Sequence, residues 1–308
     1  MISSVVDIGS NSIKLLVARG GNAEPVFEAL SETRLSPDAE SARERISDEA
    51  FAAGVNAVRA LAEQARAFSP AREAVVGTSL FRTAENARAF ADAVFRATGT
   101  PMRILSGREE AELVAAGAAT DPAVRTPCAI FDLGGGSLEF VAKTDAAPRS
   151  GDAAESWALG AVRASRRFFS DASGKIPTEE ISALRAFARA AVAPCLPREI
   201  PRGAQFVFCG GAAGICARFA AEKNGGNGGE IPAEIFEELL RKMSGKTTAE
   251  RVARGVPAKR ADIFPAALAV FAEVCAVCGV RSFLYTRRNL RYGLCAALCR
   301  GDAAAFGF

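Results

Sequence analysis

The chain has 308 residues, 49% of them hydrophobic, which favours two domains with sizeable cores over one. Its net charge of +3 is too small to argue for nucleic acid, and it contains no apolar run long enough to cross a membrane. It has no histidine, which removes Ser-His-Asp and Cys-His hydrolysis, phosphohistidine intermediates and histidine-based metal centres, and leaves acid–base work to carboxylates, Lys, Tyr, Cys or water.

Met1-Ile2-Ser3-Ser4-Val5-Val6 reaches Asp7 without a basic stretch, so it does not read as a signal peptide, and a cytoplasmic location is the expectation. Two apolar runs then flank Asp7-Ile8-Gly9-Ser10-Asn11-Ser12, the pattern of a hairpin. The sequence predicts a strand at 25–30, a helix at about 48–68, a strand at 73–78, a helix at 85–98, a strand at 102–105 and a helix at about 108–119. Two prolines at 121–127 mark a domain boundary, giving domains 1–122 and 123–308. The second half has strands near 128–131, 138–143 and 155–159, a helix at 178–192, a strand at 205–209 and helices at about 233–243 and 265–278. The glycine-rich stretch 224–229 reads as a flexible surface loop.

One pattern occurs twice. Val5 to Val17 and Ile130 to Ala142 share apolar, apolar, Asp, aliphatic, Gly, two further residues, Ser, aliphatic, charged, apolar, and lie 125 residues apart. A repeat at domain spacing means two similar halves, each a mixed sheet flanked by helices. A turn of Gly, Ser and Asn turns several backbone N–H groups toward one point, a nest for anionic oxygens, and glycine lets phosphate approach closely. The phosphate grips are therefore Gly9, Ser10, Asn11 and Ser12, and Gly134, Gly135, Gly136 and Ser137. An acid beside such a grip suits a divalent cation between them, because Mg²⁺ takes few carboxylates and completes its shell with water and phosphate oxygens. Asp7 and Asp132 hold that position.

Other junctions carry weaker signals. Ser106-Gly107-Arg108-Glu109-Glu110 opens a helix, where Glu109 and Glu112 suit the helix dipole and Glu110 is the choice for a water-activating base. Arg82 could donate bidentately to a phosphoryl group, while its neighbour Thr83 could simply cap the next helix. Gly210 and Gly211 follow a strand and open a helix, a place for an anion or for tight packing. Lys259, Arg260, Arg281, Arg287, Arg288, Arg291 and Arg300 make the last third basic; scattered arginines are usually solvated, but a polyanion would need such a lane. Cys275/Cys278 and Cys295/Cys299 lie in apolar helical patterns with no histidine to complete a site, and read as core thiols before zinc ligands.

Taken together, Asp7 to Ser12, Gly77-Thr78 to Arg82, Ser106 to Ala111, Asp132 to Glu139 and Arg260-Ala261-Asp262-Ile263-Phe264-Pro265-Ala266 resemble the exopolyphosphatase / guanosine pentaphosphate phosphohydrolase (Ppx/GppA) family in its short two-domain form. The resemblance implies an α/β, two-domain actin-like ATPase (ribonuclease H-like) fold with its site in the interdomain cleft, and a last helix, about 289–300, packing back on the first domain. It implies Mg²⁺ or another divalent cation near Asp132 and Glu139, Glu110 as base, and phosphate held by Asn11, Arg82 and the Gly135-Gly136-Ser137 turn. The substrate so implied is inorganic polyphosphate or guanosine pentaphosphate. Ala212 replaces a hydroxyl residue, Arg288-Asn289-Leu290-Arg291-Tyr292-Gly293 replaces a Gly-x-Leu-Arg-Glu-Gly, and the appended domains of longer relatives are missing, which implies a weaker grip on long chains unless a dimer extends the groove. A homodimer is the default oligomer. The rival readings are a small-molecule kinase of the same fold and a non-catalytic sensor of an alarmone nucleotide.

Overall fold

The computed structural model describes residues 1–35, 45–144, 153–223 and 229–308. The chain divides into two compact units, Met1–Pro122 with Arg288–Phe308, and Ala123–Arg287. The first contains β1 (Ile2–Ile8), β2 (Ile13–Arg19), β3 (Glu24–Ser31), α1 (Asp48–Arg66), β4 (Arg72–Gly77), α2 (Ser79–Thr83), α3 (Ala87–Thr98), β5 (Met102–Ile104) and α4 (Gly107–Ala118). The second contains β6 (Cys128–Leu133), β7 (Leu138–Lys143), β8 (Ala153–Trp157), α5 (Ala161–Phe168), α6 (Thr178–Val192), α7 (Leu196–Glu199), β9 (Gln205–Cys209), α8 (Gly211–Lys223), β10 (Ile231–Pro232), α9 (Glu234–Ser244), α10 (Thr248–Ala253), α11 (Phe264–Cys278) and β11 (Ser282–Tyr285). Helix α12 (Leu290–Arg300) returns to the first unit.

The five strands of the first sheet recur in the second, which adds β10 at one edge. The first runs β3-β2-β1-β4-β5 and the second β10-β11-β9-β6-β7-β8. In both, an antiparallel hairpin and a third antiparallel strand lead to two parallel strands: β1 pairs with β4 and β4 with β5, as β6 pairs with β9 and β9 with β11. Two mixed sheets flanked by helices, duplicated in this way, are the expected actin-like ATPase fold. Strand β11, which completes the second copy, is an element that the sequence reading passed over.

Local chemistry explains the helix ends. Ser47 caps α1 by accepting from the Ala50 N–H, and Ser106 with Glu109 closes a reciprocal capping box at α4. The expected helix at 85–98 starts at Ala87, after the separate short α2. Thr83 does not cap it: its hydroxyl donates to the Leu80 carbonyl, and Asn86 takes the cap position. A five-residue helix is too short to show a hydrophobic period, which is why the sequence merged it with a loop.

Helix α12 meets α4 backbone to backbone. A Cβ on Gly293 would stand 2.1 Å from the Leu113 carbonyl oxygen, and one on Gly117 would stand 2.0 Å from that of Asn289. The arginines expected to form a basic lane are partly spent here. Arg288 donates to the Asn22 and Thr120 carbonyls, Arg291 to Leu15 and Arg300 to Gly21. In the second unit α11 is buried along almost its whole length, and its one charge, Glu273, pairs with Arg185 and Arg189 of α6. Fully buried Arg251 donates to the carbonyls of Met243, Ala172, Ala261 and Gly174. Residues 224–228 of the glycine-rich stretch lie outside the described residues.

Candidate active site

In the first unit the site residues gather at the ends of the parallel strands. Asp7 lies at the end of β1, beside Val76 of β4, and the chain turns at once through buried Ser10, Asn11 and Ser12. The turn closes with the Gly9 N–H donating to the Ser12 carbonyl at 3.1 Å. At the neighbouring strand end, the Thr78 N–H donates to Ile8, and α2 begins. Next along, the Leu105 N–H donates to Gly77, and Ser106 starts α4. One sheet edge therefore carries the turn, Arg82 and Glu110. Arg82 Nη1 donates to the Leu105 carbonyl at 3.1 Å and to Glu110 Oε2 at 2.6 Å. Glu110 is only 8% exposed, and the Arg82 guanidinium is among the groups that hold its carboxyl.

The neighbouring acids have structural partners. Glu112 pairs with Arg108 one turn away. Glu109 bonds the Ser106 N–H, and Arg103 donates to it while also bonding the Phe306 carbonyl and lying 4.6 Å from the centre of the Phe308 ring. Burial pushes the Glu109 carboxyl up, but the N–H and hydroxyl of Ser106 and the charge of Arg103 outweigh it, leaving the group below the ordinary glutamate range.

The second unit builds its turn alike. The Gly134 N–H donates to the Ser137 carbonyl at 3.0 Å. Here a helix is docked on the loop: Gly134 accepts from the Ala161 N–H, Gly135 from Val162 and Arg163, and the Arg163 side chain donates to Gly136 at 3.2 Å. Helix α5 and Arg163 were not foreseen. Gly160, at the helix start, allows the contact, because a Cβ there would lie 2.4 Å from Gly135 and Gly136.

A row of polar side chains crosses this sheet. Asp132 is opposite Glu139 in the register of β6 and β7, and Glu139 is opposite Ser156 of β8. Cross-strand partners share a face, so the three lie side by side. Asp132 and Glu139 are 7% and 2% exposed, and Ser156 donates to Glu139 Oε1 at 2.9 Å. Asp132 also stands against Gly210, whose positive φ of +91° and lack of Cβ let the start of α8 approach: a Cβ would lie 2.8 Å from Asp132 Oδ1. Arg260 occupies the space over Gly211, with Nη1 1.4 Å from where a Cβ would be. Gly210 and Gly211 thus serve close packing at the acidic pair and beneath a guanidinium. Tyr285 lies over Gly214, and burial, followed by Cys209 and Asp132, pushes its phenol up.

Among the described residues no group of three or more His, Cys, Asp and Glu side chains could hold a metal ion by itself. Two adjacent buried carboxylates fit Mg²⁺ nonetheless, since that ion fills most of its shell with water and phosphate oxygens. Of the paired cysteines, Cys275 and Cys295 are buried and Cys278 and Cys299 partly so, and burial pushes the Cys295 and Cys278 thiols up to about 12. No helix among the described residues is long and apolar enough to cross a membrane.

The chain is similar to known proteins over almost its whole length. The description "Ppx/GppA phosphatase family" matches residues 16–299. A Haemophilus influenzae protein, provisionally named an exopolyphosphatase, is 28% identical over 300 residues, covering 96% of this chain and 90% of that protein. The crystal structure of an exopolyphosphatase-like protein superposes with a TM-score of 0.86 at 24% identity, covering 98% of this chain and 99% of the other. An exopolyphosphatase from Cytophaga hutchinsonii gives 0.85 at 19%, covering 98% of both chains. An Aquifex aeolicus Ppx/GppA family member gives 0.79 at 19%, also covering 98% of both.

Proposed function

The chain belongs to the Ppx/GppA phosphatase family, and we propose that it removes the terminal phosphate of inorganic polyphosphate, of guanosine pentaphosphate, or of both, by direct attack of water. The observation that carries this reading is the short Arg82–Glu110 contact at the strand edge that also bears the Asp7 turn. Glu110 orients a water molecule and takes its proton as the oxygen attacks the terminal phosphorus. The bond to the bridging oxygen breaks, and the shortened chain leaves with the electron pair. Arg82, which donates to Glu110, also offers its guanidinium to the phosphoryl oxygens and so neutralises charge that develops on them.

Asp132 and Glu139 would hold the divalent cation, which when bound neutralises charge on the phosphate oxygens. The Gly134–Ser137 turn and the Gly9–Ser12 turn offer N–H groups and hydroxyls to phosphate. No histidine is needed for any of these roles, in keeping with a chain that has none.

The test is phosphate release in Mg²⁺ from short polyphosphate, long polyphosphate and guanosine pentaphosphate, measured side by side. Release from at least one, lost on chelation, is the expected result. Absence of release from all three, with ATP-dependent phosphorylation of an acceptor instead, would replace the hydrolase with a kinase.

A further inference from the structure

A side chain that donates to Glu139 comes from β8, outside both glycine turns and outside every motif in the sequence. We infer that Ser156 is a positioning residue for divalent cation binding: its hydroxyl fixes the Glu139 carboxylate opposite Asp132. The inference rests on the proposal that Asp132 and Glu139 hold the cation, and it names what keeps that pair in place.

Three observations carry it. Ser156, Glu139 and Asp132 occupy successive positions of one cross-strand row. Ser156 Oγ donates to Glu139 Oε1 at 2.9 Å, an ordinary hydroxyl–carboxylate distance. Glu139 is 2% exposed, so solvent supplies little of the orientation that a buried carboxylate needs, and a protein donor has to. A glutamate side chain has three rotatable bonds; the hydroxyl removes the freedom of the last one, setting the carboxylate plane before the cation arrives. Partners behind a metal-binding carboxylate are typically worth about 10–100-fold in metal affinity. For the loss of a neutral hydroxyl donor, the lower end of that range, about tenfold, is the expected effect.

The experiment measures Mn²⁺ binding to the full chain by electron paramagnetic resonance, without substrate, beside the melting temperature of each variant. Glu139→Gln should lose Mn²⁺ binding. Ser156→Ala should weaken it about tenfold at an unchanged melting temperature, and Ser156→Thr, which keeps the hydroxyl, should bind like the unaltered chain. Ser156→Cys keeps the volume with a poorer donor and should resemble alanine, which guards against a loss due only to packing. If Ser156→Ala and Ser156→Cys bind Mn²⁺ as well as the unaltered chain while Glu139→Gln does not, the positioning role is wrong and the cation site stands. If Glu139→Gln binds normally, the cation site itself is wrong, and Ser156 falls with it.

Discussion

The turns after β1 and β6 close with the same Gly-to-Ser hydrogen bond, yet their surroundings differ. Beside the first, on the same sheet edge, are Arg82 and Glu110, two ionised side chains in direct contact. Behind the second is backbone: α5 caps itself on the carbonyls of Gly134 and Gly135, and the acidic pair is set in a row of strand residues. One hairpin shape therefore stands in two different settings. The first unit sets Glu110, the proposed base, against a guanidinium, an arrangement that suits proton transfer. The second holds a loop hydrogen-bonded to a helix and a cross-strand row of carboxylates, which suits the proposed binding of a cation.

The largest effect expected from this contrast is at Glu110. Glu110→Gln removes the base while keeping the shape and a hydrogen-bonding oxygen for Arg82. Turnover should fall about 10²–10⁴-fold, the usual contribution of a positioned base. Mn²⁺ binding, assigned to the second unit, and the melting temperature should both be retained. Full phosphate release in the variant would end the assignment of chemistry to the first unit.

The second contrast is between glycines. Of the motif glycines, Gly134 has room, an added Cβ lying 3.5 Å from the Ser137 carbonyl oxygen, while at Gly9 the Ser12 carbonyl oxygen, 3.3 Å from an added Cβ, would have to give slightly. Gly160, outside both motifs, has none. Gly160→Ala forces the turn and α5 apart and should cost about 1–3 kcal/mol, the typical penalty of overpacking, with a raised KM. Gly9→Ala, which asks only a small shift of the Ser12 carbonyl, should cost less than Gly160→Ala. Thermal melts of the two variants decide this: equal losses would mean that the turns are braced alike after all.

How far the sequence could be read follows the same division. The hairpins, the β/α alternation and the strand–helix junctions at Arg82, Ser106 and Gly210 all announce themselves through local chemistry: alternating apolar runs, small-residue turns and caps. Ser156, Gly160, Arg163 and the position of Arg260 do not. Ser156 matters only because β8 places it opposite Glu139, and Arg260 only because its guanidinium comes to rest over Gly211. Such roles are set by strand register and helix docking, which a single sequence does not display. The C-terminal arginines taught the reverse lesson: several that resembled a lane for a polyanion are bonded to carbonyls of β2, the loop after it and the end of α4.

The smallest expected effect concerns the support beneath Glu110. Its neighbour Glu109 has a pKa below the ordinary value because Ser106 and Arg103 together overcome the cost of burial. A carboxyl whose folded pKa is depressed contributes stability above its unfolded value near 4.5, and loses it as the pH falls through the folded value. Glu109→Gln should therefore be less stable than the unaltered chain at neutral pH, and the gap should close as the pH is lowered below 4.5. Because α4 begins at this capping box, the same substitution should loosen the first turn of the helix that carries Glu110 and lower kcat severalfold with KM little changed. Urea unfolding of both proteins from neutral to acid pH checks the first statement, and steady-state kinetics the second. A stability gap that stayed constant with pH would show that Glu109 acts only as a neutral hydrogen-bond partner, and that the ionic contact with Arg103 contributes nothing to holding the base.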